Sequence, residues 1–324
     1  MSVKTYAQAI KDCIAEEMRR DKNVFVMGED IALQGGIFGC TRGLVQEFGP
    51  ERVVETPISE NSFVGAGVGA AYLGKRPIVE LMYVDFSFLA MDQMLNTAAK
   101  AHYMFGGQVK VPLVIRAQQG IGRANGPNHS QSLESLFWHV PGIKVAIPAT
   151  PADAAGLLRT AIRDDNPVMF LEHKALYATK GEVPDDPEFA IPFGKASIVQ
   201  AGKDVTVVTS LMYVQRVMDA VAELEASGVS CEVIDPRTLV PFDKDTVIRS
   251  VKKTGKLVIV HEAMKPCGMG AEISAIMAEE AFQYLDAPIR RITSKHTTLP
   301  FSLVLENAVV PQKEDIVNGV KSVL

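Results

Sequence analysis

Cysteine is scarce in this 324-residue chain. There are four, Cys13, Cys40, Cys231 and Cys267, far apart and without a C-x-x-C pair. That spacing excludes a disulfide scaffold and a thioredoxin-like redox motif, so the four read as reduced thiols of a cytoplasmic compartment. Histidine is also rare, and His102, His139, His173, His261 and His296 show no metal-ligand spacing among themselves. No apolar run reaches the ~18 residues of a membrane span, so no membrane association is expected. The first residues, MSVKTYAQAIKDCIAEEMRRD, carry charges throughout, and no secretory leader is expected there. Basic residues are outnumbered, 33 against 38, the formal net charge is −5, and no basic stripe occurs. Nucleic acid is therefore a poor partner. The chain also lacks a P-loop and lacks a Gly-Asp-Gly segment followed by Asn, the usual carrier of Mg²⁺ and diphosphate. If it handles a phosphorylated cofactor, something else must grip the phosphates.

What the chain does have is a balanced globular composition, 47% apolar and 22% charged, and enough length for two domains at ~100–200 residues each. Short β-branched runs alternate with helical patterns. The spacing of Tyr6, Ile10, Ile14 and Met18, with Thr5 and Gln8 as a capping box, predicts a helix over 5–20. Strands are expected at 24–27, 53–54, 77–82, 112–116, 143–147 and 167–171. Helices are expected at 60–73 and 90–104, and another begins at Thr150-Pro151 with Asp153 closing its box. From about 174 to 202 the rhythm lapses into KGEVPDDPEFAIPFG, read as the connection between domains. It resumes with strands at 205–210, 231–235, 256–262 and 288–292, and with helices to about 227, near 243–252 and to about 285. This alternation predicts α/β architecture, with a parallel sheet in each half covered by helices on both faces.

Three stretches could carry chemistry. The acids of Gly28-Glu29-Asp30 close the strand at 24–27, at the carboxyl edge where open α/β sheets place ligands. In VVETPISENSFVGAGVGAA, Ser59 is a plausible N-cap and Glu60 starts a helix unusually poor in side chains. A lone glutamate there is ordinarily a capping or dipole carboxylate. The glycines Gly65, Gly67 and Gly69 lie inside the helix, which rules out a dinucleotide fingerprint and implies close packing of a helix or a ligand. The loop QQGIGRANGPNHSQ (118–131) follows another strand and carries His129. Such loops on rigid scaffolds concentrate function, although a loop histidine is more often simply solvated. Met82, Tyr83, Phe86, Phe88 and Met91 read as core and helix start, or as the wall of a planar ring site.

Taken together, MGED (27–30), ETPISE (55–60), GxxVGAA (65–71), VDF (84–86), HSQ (129–131), the run from Pro151, AIRDDNPV (161–168), LEHK (171–174), GEVP (181–184), ID-x-R-T (234–238) and PF (300–301) resemble the β subunit of the thiamine-diphosphate-dependent decarboxylating component of 2-oxo acid dehydrogenases. MFGG (104–107) leans toward the acetoin branch. The resemblance runs essentially end to end. It implies an N-terminal pyrimidine-binding domain (1–180), a linker (181–202) and a transketolase C-terminal-like domain (203–324) with a parallel or mixed sheet. It also implies an α₂β₂ heterotetramer whose α subunit holds Mg²⁺ and the diphosphate, and a lipoyl-bearing dihydrolipoyl acyltransferase core as partner.

By position the resemblance assigns Glu60 as the catalytic carboxylate at N1′ of the aminopyrimidine. It assigns Phe86 as a stacking wall, Ile58 and Met82 as apolar neighbours, and Glu29 to an acidic path between active sites. His129 becomes the catalytic histidine of acyl transfer to lipoamide, an imidazole being suited to carrying a proton. Backbone carbonyls of Leu113, Ala161, Ile162, Asp164 and Asn166 would hold potassium. The implied activity is oxidative decarboxylation of pyruvate, with acetoin cleavage or a purely scaffolding subunit as the alternatives. A transketolase-type half fits less well, because such chains usually carry the diphosphate domain themselves. The histidine loop departs from acetoin-type relatives in reading Gly126-Pro127-Asn128-His129-Ser130, which bears on substrate more than on chemistry.

Overall fold

The computed structural model describes all 324 residues, and their contacts form two compact units. The first comprises residues 1–119 and 136–193; the second comprises 120–135 and 194–324. No helix is long and apolar enough to cross a membrane.

In the first unit six strands run parallel in the order Val53–Glu55, Val24–Gly28, Arg76–Leu81, Val114–Gln119, Val168–His173, Lys144–Ala146. Every residue of Val114–Gln119 and of Val168–His173 is buried, as expected of a parallel sheet covered on both faces. The predicted caps are present. Thr5 and Gln8 form a capping box on helix Tyr6–Arg20. Thr150 accepts from the Asp153 N–H of helix Pro151–Arg163, with Pro151 in its first turn. These two helices meet side by side, where Arg163 Nη2 reaches Glu17 Oε1 at 2.7 Å and the Cys13 thiol donates to the Ala155 carbonyl at 3.4 Å. The amino terminus is an antiparallel ribbon, Ser2–Thr5 on Lys180–Val183. The second of these strands falls within the stretch whose lapsed rhythm predicts a connection.

The helix expected over 90–104 is broken. Helix Ser87–Met91 passes into a π-helical stretch, Asp92–Ala98, before helix Ala99–Met104. Such widened turns recur at functional sites. Side-chain periodicity changes little across one, so the pattern does not reveal it.

The second unit has a five-stranded mixed sheet in the order Arg290–Ser294, Leu257–Met264, Val205–Thr209, Cys231–Asp235, Ser197–Gln200. The last strand is antiparallel, so this sheet is mixed, as the resemblance implies, and not parallel throughout as the strand–helix alternation alone suggests. Helices Tyr213–Ala226, Lys244–Thr254 and Met269–Glu280 pack on this sheet. The last of them is shorter than the sequence suggests. It stops at Ala281 (φ −138°), and a 3₁₀ turn, Phe282–Tyr284, covers the remaining residues. Helices Leu303–Val309 and Lys313–Lys321 close the chain.

Candidate functional site

The carboxyl edge of the first sheet collects acids. Glu29 directly follows strand Val24–Gly28 and is 6% exposed. Its neighbour strand Val53–Glu55 ends in Glu55, whose Oε2 accepts from the Ala32 N–H at 2.8 Å and so ties down the segment after Glu29. The Thr56 N–H then donates to the Gly28 carbonyl at 3.0 Å. This keeps the 56–59 segment close to the sheet and leads into helix Glu60–Tyr72 with Glu60 at its first position, 5% exposed. Ser59 occupies the N-cap position, but its hydroxyl donates to the Ser62 hydroxyl at 2.8 Å and does not cap the helix.

The small residues of this helix face two ways. A Cβ at Gly67 would lie 2.7 Å from Val79 Cγ2, so this glycine lets the helix press onto strand Arg76–Leu81. Gly69 has nothing within 4 Å, and Ala66 is exposed. Close packing on the sheet explains one face and leaves the other free for an approaching group. Gly65 meets Gln93 of the π-helical stretch.

Glu29 and Glu60 are electrostatically coupled. Burial first, then the Glu60 and Asp30 charges, push the Glu29 carboxyl up to about 7. Glu29 Oε1 is buried without a hydrogen-bond partner. A carboxyl in that condition takes and releases a proton near neutrality.

Raising a folded-state carboxyl pKa means that the fold favours the protonated form. Its contribution to stability is full below about 4.5 and is lost as pH rises through about 7. Glu29→Gln, which mimics the protonated form, is therefore expected to stabilise the protein at pH 8 by about 1–2 kcal/mol. The gain should all but vanish by pH 4. Melting temperatures of the two proteins at pH 4 and pH 8 test this, and a gap that persists at pH 4 would contradict it.

The same edge presents Met82 and Phe86, both half-buried, with Phe86 in a 3₁₀ turn, Val84–Phe86. Ile58 is 81% exposed. The structure thus brings Glu29, Glu60, Met82 and Phe86 to one end of one sheet, with Ile58 projecting beside them. A carboxylate, a titrating carboxyl, and apolar and aromatic faces next to a helix of small residues can receive a flat heteroaromatic ring and exchange protons with its nitrogen atoms.

The five carbonyl residues lie elsewhere. Leu113 precedes strand Val114–Gln119, and Ala161, Ile162, Asp164 and Asn166 surround the end of helix Pro151–Arg163, at the amino edge of the sheet. The Arg76 guanidinium donates to the Ile162 and Asp164 carbonyls at 3.0 Å each. The Leu113 carbonyl accepts from the Val168 N–H and the Ala161 carbonyl from the Asp164 N–H. Each of these oxygens keeps a second lone pair for a cation.

His129 belongs to the second unit by its contacts. Its Nδ1 lies 3.0 Å from Asn128 Oδ1, so the asparagine that marks the loop's departure from acetoin-type relatives orients the imidazole ring.

Sequence reasoning missed a buried ionic network under the first unit's site. Arg116 is fully buried. Its Nη1 reaches Glu80 Oε2 at 2.7 Å, and its Nε and Nη2 clasp both oxygens of Glu172 at 2.6 and 2.8 Å. Gln118 Nε2 donates to Glu80 Oε1 at 3.2 Å, and the Tyr177 hydroxyl donates to Glu172. Burial pushes the Glu172 carboxyl up, with Arg116 opposing. The available signal was a charge within or just past each of the apolar runs PIVELM, PLVIR and PVMFL: Glu80, Arg116 and Glu172.

Two family descriptions match the chain: transketolase, pyrimidine binding domain, over residues 2–180, and transketolase, C-terminal domain, over residues 194–316. Among curated proteins, the chain is 46% identical to the pyruvate dehydrogenase E1 component subunit beta of Rickettsia bellii, over 98% of both chains. It is 47% identical to the acetoin:2,6-dichlorophenolindophenol oxidoreductase subunit beta of Cupriavidus necator, over 95% of this chain and 94% of that one. Among solved structures it is similar to a split-gene transketolase described as an inactive β₄ tetramer. That match has a TM-score of 0.79 and 22% identity, and it covers 98% of this chain and 97% of the other.

Proposed function

Because the chain belongs to the β-subunit family of the thiamine-diphosphate-dependent E1 components of pyruvate and acetoin dehydrogenases, we propose that it supplies the pyrimidine-side half of a 2-oxo acid decarboxylase active site that passes its acyl product to lipoamide. The observation that carries this reading is Glu60, a nearly buried carboxylate at the start of the Gly/Ala helix and coupled to Glu29. Bound thiamine diphosphate supplies the nucleophilic carbon and the electron sink for decarboxylation. Glu60 holds a proton at the pyrimidine N1′, and its burial keeps water from competing for that hydrogen bond. Phe86 would stack on the ring, with Met82 and Ile58 as its apolar neighbours. Glu29, poised near neutrality, stores and returns the proton that Glu60 exchanges. His129 moves a proton when the lipoyl dithiolane takes the acyl group.

The phosphates, and the Mg²⁺ that binds them, fall to an α subunit, since this chain has no motif for either. The first unit leaves Ile58, Leu73, Phe88, Leu89, Tyr103 and Met104 exposed, apolar surface suited to burial in an α₂β₂ heterotetramer. A lipoyl-bearing acyltransferase core and a cytoplasmic setting complete the reading, and the potassium ion belongs with the backbone carbonyls of Leu113, Ala161, Ile162, Asp164 and Asn166, of which Ile162 and Asp164 also accept from Arg76.

The test is dye-linked oxidation by the enzyme assembled with its α partner, given thiamine diphosphate and Mg²⁺, against pyruvate, acetoin, 2-oxobutyrate and branched 2-oxo acids. Pyruvate is the expected substrate. Preference for acetoin would move the chain to the other branch, and a heterotetramer that fails to bind the cofactor would refute the catalytic reading. Replacing potassium by sodium in the same assay is expected to lower the rate, and an unchanged rate would remove the ion.

A further inference from the structure

Two carboxylates of the second unit converge on the loop that carries His129. Glu262 lies in strand Leu257–Met264 and Glu306 in helix Leu303–Val309; they are 9% and 1% exposed. The Ile121 N–H donates to Glu262 Oε1 at 2.9 Å, and the N–H of the next residue, Gly122, donates to Glu306 Oε1 at 3.0 Å. At the far end of the loop the Ser132 hydroxyl donates to the same Oε1 of Glu262 at 3.0 Å. One carboxylate oxygen therefore bridges the two ends of the loop, and the Gly120 N–H closes its base on the Gln131 carbonyl at 3.0 Å.

The middle of the loop is held sterically. Gly126 has φ +76°, and a Cβ there would lie 2.3 Å from the Phe301 ring. Phe301 belongs to the Pro300-Phe301 pair noted in the sequence. A charged acceptor buried this deeply makes strong, short-range bonds to backbone N–H groups and leaves them little freedom. Glu306 Oε2 is buried with no hydrogen-bond partner, which leaves the Gly122 bond as this carboxylate's hydrogen bond to the loop. The loop is gripped at its start, middle and end, and His129 sits between the second and third grips.

We propose that Glu262, Glu306 and Phe301 are positioning residues for His129, so that acyl transfer depends on the second unit while cofactor activation rests on the first. The inference rests on the function proposed above. It separates two half-reactions that a single turnover number merges.

The test uses the assembled enzyme and two rates, decarboxylation read with an artificial dye acceptor and reductive acylation of a lipoyl domain. Glu306→Leu is expected to lower the acylation rate about tenfold to a hundredfold, as misplacement of a transfer group does. Its dye-linked rate should stay within about twofold of wild type, since the first unit is untouched. Glu306→Gln keeps an oxygen for the Gly122 N–H and is expected to restore most of the acylation rate. Phe301→Ala spares both carboxylates and should show the same split to a smaller degree. In a His129→Ala background Glu306→Leu should cost nothing further, because the group it places is gone. Equal falls in both rates for Glu306→Leu and Phe301→Ala, or acylation unchanged in both, would overturn the clamp while leaving the function standing. A wild-type enzyme without dye-linked turnover would overturn the function itself, and the clamp's role with it.

Discussion

Glu60→Gln is expected to lower turnover of the assembled enzyme about a thousandfold, the middle of the range for loss of a positioned acid–base group. Glutamine fills the same volume and can still start helix Glu60–Tyr72, so the complex with the α partner should form as before and run unchanged on size exclusion. What glutamine cannot do is hold a proton at a ring nitrogen as a carboxylate does. A second readout follows from the coupling of the two acids. The Glu60 charge is one of the causes that push Glu29 up to about 7. Its removal should bring the Glu29 titration down toward the ordinary carboxylate range, observable by carboxyl-labelled NMR. Residual turnover close to wild type would remove Glu60 from the chemistry. An unmoved Glu29 would show that burial and the Asp30 charge, without Glu60, set its proton affinity.

The largest stability effect should come from Arg116→Met. The guanidinium neutralises two carboxylates that have no access to solvent, and its loss strands Glu80 and Glu172 together. Breaking a buried ion pair from one side costs about 3–5 kcal/mol. For a unit of this size that is a drop in melting temperature on the order of 10 °C. Adding Glu80→Gln and Glu172→Gln removes the stranded charges while leaving acceptors for Gln118 and Tyr177. The triple variant is expected to recover at least half of the loss, because most of the penalty belongs to the uncompensated charges. A triple variant as unstable as the single one would place the cost in lost packing around Arg116.

The parts of the molecule legible in the sequence are those whose causes are local. The Thr5–Gln8 box and the Thr150-Pro151-Asp153 start are short-range hydrogen-bond patterns, and both are present. Cys231–Asp235 is the strand read from its β-branched run. The place of Glu60 at the start of helix Glu60–Tyr72 could be read because a helix start is itself a local signal. Its coupling to Glu29 could not, because it depends on strands Val24–Gly28 and Val53–Glu55 lying side by side. Arg116 was hidden inside the apolar run PLVIR, where nothing local announces that Glu80 and Glu172 flank it. The π-helical turn at Asp92–Ala98 keeps nearly the same pattern of buried side chains as an α-helix. The grip of Glu262 and Glu306 on the histidine loop acts through backbone N–H groups, which every residue but proline has and no sequence pattern marks.

The excursion of residues 120–135 into the second unit has a consequence for how the chain is made. A polypeptide emerging amino end first can assemble the parallel sheet of the first unit once strand Val168–His173 is out. At that moment the intervening loop has no carboxylates to bind and no ring to cover Gly126, since Glu262, Phe301 and Glu306 are still unsynthesised. The histidine waits on a tether while its anchors are translated, and it is fixed only when the last third of the chain folds back to it. The loop is therefore completed only when helix Leu303–Val309, made long after it, docks onto it. A truncated product that stops before Leu303 would carry every side chain proposed for the reaction and still leave the histidine loop without its Glu306 anchor.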